Sequence, residues 1–162
     1  IRINPGTDSA LALGIMHILI NENLIDHEYV QQFLEDFEEL KERVSIFTPK
    51  KVASITGVDS EKIIELARLY GNTKKSAIRC GFGIQRHTNG GEAIRSLAIL
   101  PALTGAWTEV GGGFLLINWD YGFNFDKLYR TDIHNGNPRE VNCSQIATAL
   151  NDDEKPIYAM FV

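Results

Sequence analysis

The chain has 162 residues, 44% of them apolar, and a net charge of −5 at pH 7. That supplies one good hydrophobic core and is too short to promise two. The basic residues are scattered among carboxylates, which argues against a nucleic-acid footprint, and no apolar run approaches the roughly 20 residues of a membrane-spanning helix.

Two cysteines, Cys80 and Cys143, lie far apart and neither forms a CxxC pair. That pattern disfavours a structural zinc or iron-sulfur site within the chain and points to a reduced compartment, which favours the cytoplasm but leaves the localisation of a larger parent open, because any leader would lie upstream. No basic-apolar-small leader opens the sequence. It begins at Ile1 and stops inside the apolar run PIYAMFV, so an excised piece of a larger protein is expected.

Pro5-Gly6 signals a turn, after which Thr7 or Asp8 can cap a helix over about residues 8–22. Leu11, Ile15 and Ile18, with Ala12, Met16 and Leu19, fall on one broad face at helical spacing; Met16 and His17 read as packing and surface. Asp26 can cap a second helix carrying Tyr29, Val30, Phe33, Leu34 and Phe37, continued by Leu40 and Val44 past the acidic run EDFEE, which reads as a solvated face. Thr48-Pro49 is an N-cap followed by proline at the first helical position, and Gly57 closes that helix. Asp59 starts another, with Val58 and Ile63 as a hydrophobic staple, ending at Gly71.

SAIRC, residues 76–80, reads as a strand, followed at once by CGFGIQRHTNGGE with its four glycines. Helical spacing returns at about Gly91, and Pro101 predicts a kink or break before the helix ends at Thr104-Gly105. Residues 113–118 read as a strand, Trp119 to Asn142 mostly as loop, SQIATALND as a last helix and 156–162 as a last strand. The order predicts a single α/β domain over 1–162. It has a parallel, Rossmann-like layered sheet and a helical N-terminal cluster at about 8–71.

In such sheets ligands sit at the carboxyl ends of strands, where the CGFG turn falls. Glycines there let a backbone approach a ligand, and the following helix offers N–H groups to an anion, with Arg86 and His87 beside them. A plain strand-to-helix turn with solvated polar residues is the alternative. The spacing is not GxGxxG, and GxxxxGK[ST] is absent, so nicotinamide and nucleoside-triphosphate loops fit poorly.

The blocks PGTDSALALGIMHILINENLID, ITGVDSEKIIELARLYG and GFGIQRHTNGGEAIRSLAILPALTGAWTEVGGGF, in that order over about residues 3–117, resemble the molybdopterin oxidoreductases of the dimethyl-sulfoxide reductase type. These include formate dehydrogenases and nitrate reductases. PIYAMFV resembles the family strand before an Asn-Pro cofactor loop. The resemblance implies an α/β domain cradling a pterin guanine dinucleotide with molybdenum or tungsten held elsewhere in a larger parent. It implies cofactor-binding roles for Gly6, Thr7 and Asp8 in the PGTD turn, and for Gly81, Phe82, Gly83, Gln85 and Arg86 in the glycine loop, with His87 and Asn89 facing the same cavity.

The ring of Phe82 could pack on the pterin or simply in the core. No catalytic or metal-ligating residue is expected in this chain, which alone should be inactive. The metal ligand, any iron-sulfur cluster, the other parent domains and an electron-transfer subunit would lie outside it. Two alternatives stand beside this one: a metal-free scaffold domain of a related iron-sulfur electron-transfer subunit, and a nucleotide-binding module.

Overall fold

The computed structural model describes residues 1–117, 122, 124–133 and 139–161. The chain divides into two compact units, Ile1–Trp119 and Asp120–Val162.

The first unit is helix-rich. It runs α1 (Asp8–Asn21), α2 (His27–Phe33), α3 (Phe37–Ser45), α4 (Pro49–Thr56), α5 (Ser60–Gly71), β1 (Ala77–Cys80), a short 3₁₀ turn (Ile84–Arg86), α6 (Gly90–Leu103), a second 3₁₀ turn (Ala106–Thr108) and β2 (Gly113–Leu116). α1 is apolar on more than the one broad face that its spacing suggests: Ala10, Ala12, Gly14, Ile15, Met16, Ile18 and Leu19 are all buried. A helix apolar nearly all round belongs in the middle. α1 accordingly packs against α3, α4, α5 and α6. Met16 and Leu19 are fully buried there with Val44, Val52, Ile63 and Leu103.

Local signals set most boundaries. The Thr48 hydroxyl accepts from the Lys51 N–H with Pro49 next to it, and Gly57 closes α4 in the left-handed region at φ 74°. Asp26 caps α2 by accepting from the Tyr29 N–H at 2.9 Å. The expected long second helix is two helices, because Leu34 is extended (φ −103°, ψ 117°) and Asp36 takes a left-handed backbone (φ 54°) that a short polar side chain tolerates. Pro101 does not break α6, which runs on to Leu103. It lies near the end of the helix, so little of the hydrogen-bond ladder is lost, and its ring is fully buried.

β1 and β2 form a parallel pair, Ala77 opposite Gly113 through Cys80 opposite Leu116, joined through α6. Among the described residues this is the whole sheet. The expected strand at 156–162 is irregular through residue 161, and residue 162 lies outside the described residues. A strand needs a neighbour for its backbone groups, and here Tyr158 is 92% exposed. The second unit holds α7 (Phe125–Tyr129), 3₁₀ turns at Thr131–Ile133 and Cys143–Gln145, and α8 (Ile146–Leu150), the expected last helix. Residues 118–121, 123 and 134–138 of the expected loop lie outside the described residues. Among the described residues no helix is long and apolar enough to cross a membrane.

Surface charges pair along helices as their spacing suggests, Arg95 with Glu92 and Arg43 with Glu39. Arg68 makes a forked pair with Glu22, at 2.7 and 2.9 Å, between α5 and the end of α1. His17 is satisfied: its Nδ1–H donates to the Val44 carbonyl at 3.1 Å, and the Asn21 amide donates to its Nε2 at 3.0 Å.

Ile63→Ala should lower unfolding free energy in urea by about 2–5 kcal/mol, the cost of an apolar cavity. Arg68→Ala, on a solvent-exposed pair, should shift the urea midpoint far less than Ile63→Ala does. Burial pushes the Cys80 thiol up, and the Asp8 carboxylate adds to the effect. Asp8→Asn therefore lowers the thiol pKa toward its ordinary value and should speed alkylation of Cys80 at pH 8, by less than about tenfold because burial persists.

Candidate functional site

The Pro5–Asp8 turn comes first. Thr7 occupies the N-cap of α1 but makes no side-chain cap bond. Its hydroxyl instead donates to the Asn4 carbonyl at 2.7 Å. The expected Thr7 or Asp8 cap is thus replaced by a closure of the turn on itself. Asn4 ties the turn to the end of α4: its backbone N–H donates to the Thr56 carbonyl at 2.8 Å, and its side-chain amide to the Ile55 carbonyl at 3.1 Å. Asn4 was not among the candidates, although an asparagine just before Pro-Gly is a recognisable turn residue.

The glycine loop follows β1. Cys80 is buried at the carboxyl end of that strand, close enough to Asp8 to feel its charge. Gly81, Phe82 and Gly83 leave the strand, Gln85 and Arg86 sit in the 3₁₀ turn, and His87 is extended (φ −90°, ψ 156°) before Asn89 and α6. The side chains of Gln85, Arg86, His87 and Asn89 are exposed, and Phe82 is half-buried.

The fold brings these two segments together. The Asn89 side-chain amide donates to the Gly6 carbonyl at 3.1 Å. Gly6 takes a left-handed backbone, φ 75°, and a Cβ placed on it would lie 3.3 Å from His87 Nδ1. The starts of α1 and α6 are therefore neighbours. Neither has a side-chain cap bond, so the first-turn N–H groups and the positive ends of two helix dipoles are presented side by side.

The four glycines of the loop have different reasons. A Cβ on Gly90 would lie 2.6 Å from the Gln85 Cα, so the 3₁₀ turn can fold back on α6 only over a glycine. Gly83 and Gly91 are unlike it: nothing lies within 4 Å of a Cβ at either, and Gly81 would meet only the Ile117 side chain at 3.9 Å. None of these three needs the left-handed region. The chain's own packing gives them no reason to be glycine, and each leaves bare backbone at the surface. Among the described residues no three His, Cys, Asp or Glu side chains cluster to hold a metal ion.

A model of the molybdopterin oxidoreductase family matches residues 1–156. The chain is 46% identical over its full length to a Bacillus subtilis protein named "Probable oxidoreductase YoaE", of which it covers 24%. It is 36% identical to dimethyl sulfoxide reductase DmsA of Escherichia coli, with 79% of this chain and 18% of that one aligned. Among solved structures, acetylene hydratase from Pelobacter acetylenicus superposes with a TM-score of 0.64 at 38% identity, over 68% of this chain and 15% of that one. The chain thus spans about a quarter or less of the length of these relatives. With a family model matched along nearly its whole length, and with relatives and a solved structure in agreement, the chain belongs to the molybdopterin oxidoreductase family.

Proposed function

We propose that the Gly6–Asp8 turn and the Gly81–Asn89 loop form one cradle for a pterin guanine dinucleotide, in a parent enzyme that holds molybdenum or tungsten. The observation that carries this is the trio Gly81, Gly83 and Gly91, bare backbone that the chain's own packing does not require. A bulky planar group with pyrophosphates needs close backbone approach, anion-binding N–H groups and a charge-assisted donor. The two adjacent helix starts supply the N–H groups, and exposed Arg86 supplies the charge. Gln85 and His87 offer hydrogen bonds beside it, and Phe82 an apolar surface. Thr7 and Asp8 act differently, by shaping the start of α1.

When bound, such a cofactor supplies two-electron redox or oxygen-atom chemistry at its metal, and this chain's part is binding, orientation and electrostatics. The layered, Rossmann-like completion of the two-stranded sheet belongs to the same proposal, with further strands from the remainder of the parent. One relative is named a hydratase and another a reductase. We therefore assign the substrate, any iron-sulfur cluster and any electron-transfer partner to parts of the parent beyond this cradle.

In the full-length parent, Gly83→Val should lower metal per protein by elemental analysis, and pterin fluorescence after oxidation. The cofactor-free form should keep its unfolding midpoint, since a Cβ at this exposed position has no atom within 4 Å of it. Gly90→Ala should instead destabilise the protein itself through its clash with Gln85. Arg86→Ala should also lower cofactor content, with the difference from wild type largest at low salt, where the lost charge-assisted bond is least screened. Full metal and pterin content in both Gly83→Val and Arg86→Ala would overturn the proposal and favour a scaffold without the cofactor.

A further inference from the structure

Asn89 stands at the N-cap of α6, where an asparagine ordinarily turns its carboxamide oxygen onto the N–H groups of its own helix. It does not do so here, its backbone lying at φ −100°, ψ 18° with no side-chain cap bond. Its amide reaches the Gly6 carbonyl, 83 residues away in sequence, at 3.1 Å. A carbonyl oxygen only accepts, so the NH₂ group of Asn89 must be the donor. The loop around it is fixed independently, since the Gly90 N–H donates to the His87 carbonyl at 2.9 Å. The turn that receives the bond is held on its other side by Asn4, through the Ile55 and Thr56 carbonyls.

We infer that Asn89 is a positioning residue, a clip that diverts the cap of α6 onto the Gly6 turn. It does two things with one side chain. It sets the spacing between the starts of α1 and α6, and it leaves the first-turn N–H groups of α6 beyond Gly90, whose N–H is engaged by His87, without a side-chain cap that would compete with an anion. The inference rests on the reading of this site as a pterin-dinucleotide cradle, and it moves Asn89 from a contact residue to one that holds the contacts apart.

The test uses Asn89→Asp, which keeps the shape and is an equally good helix cap but cannot donate to Gly6. Asn89→Ala, which removes both abilities, is the companion variant. Hydrogen exchange is followed in the cofactor-free full-length parent, made in a host that cannot synthesise the pterin. In both variants amides of residues 4–10 should exchange roughly three- to tenfold faster, the loss of one hydrogen bond. The start of α6 should hold or gain protection in Asn89→Asp and lose it in Asn89→Ala. A general loss of stability would not move turn and helix in opposite directions. In parent made with the cofactor available, both variants should carry less metal and pterin. Unchanged exchange at residues 4–10 in both variants would overturn the clip, whatever the cofactor content. Faster exchange there with full cofactor content would keep the clip and overturn the reading of this turn as part of the cradle.

Discussion

Everything at the candidate site follows from two helices that begin at the same place. α1 and α6 have 14 residues each, or about 21 Å. They are joined at one end by Asn89 and Gly6, and beyond the other end of α1 the Asp26 N–H, at the start of α2, donates to the Leu103 carbonyl of α6 at 2.8 Å. Side by side and in the same direction, they set like dipole ends together, which is electrostatically unfavourable on its own. Burial of Met16, Leu19, Leu100 and Leu103 in the shared core holds the arrangement against that repulsion. The two helix starts meet at one corner, with Asp8 and Glu92 in their first turns.

The glycine loop gives that corner its shape. Gly90 lets the 3₁₀ turn fold tightly back on α6, while Gly81, Gly83 and Gly91 leave backbone uncovered. The same residue type thus serves internal packing at one position and outside access at three others, a distinction visible only once neighbours are known. The charged side chains divide in the same way. Arg95 is engaged with Glu92 on the surface of α6, whereas Arg86 sits in the loop itself.

The helices were legible where local chemistry decides: Thr48-Pro49, Gly57 and Asp26 mark their boundaries in any context. The break between α2 and α3 was not, because Leu34, Phe37, Leu40 and Val44 keep a continuous apolar period across it. Only the backbone of Leu34 and Asp36 interrupts the helix. The strand expected at 156–162 failed for a different reason, since an apolar run becomes a strand only beside a partner. At the site, both blocks could be named from the sequence, but their adjacency could not. No local rule connects Gly6 with Asn89: the expected Thr7 or Asp8 cap gives way to a local bond from Thr7 to the Asn4 carbonyl, while the Asn89 amide is drawn across the fold to Gly6.

The separation of those two segments bears on biosynthesis. At translation rates of about 5–20 residues per second, the 83 positions between Gly6 and Asn89 take roughly 4–17 s to emerge from the ribosome. Through that interval the nascent chain holds the Gly6 turn without the Asn89 side chain that closes on it. The junction of the two helix starts is therefore a late event, possible only after the start of α6 has left the exit tunnel.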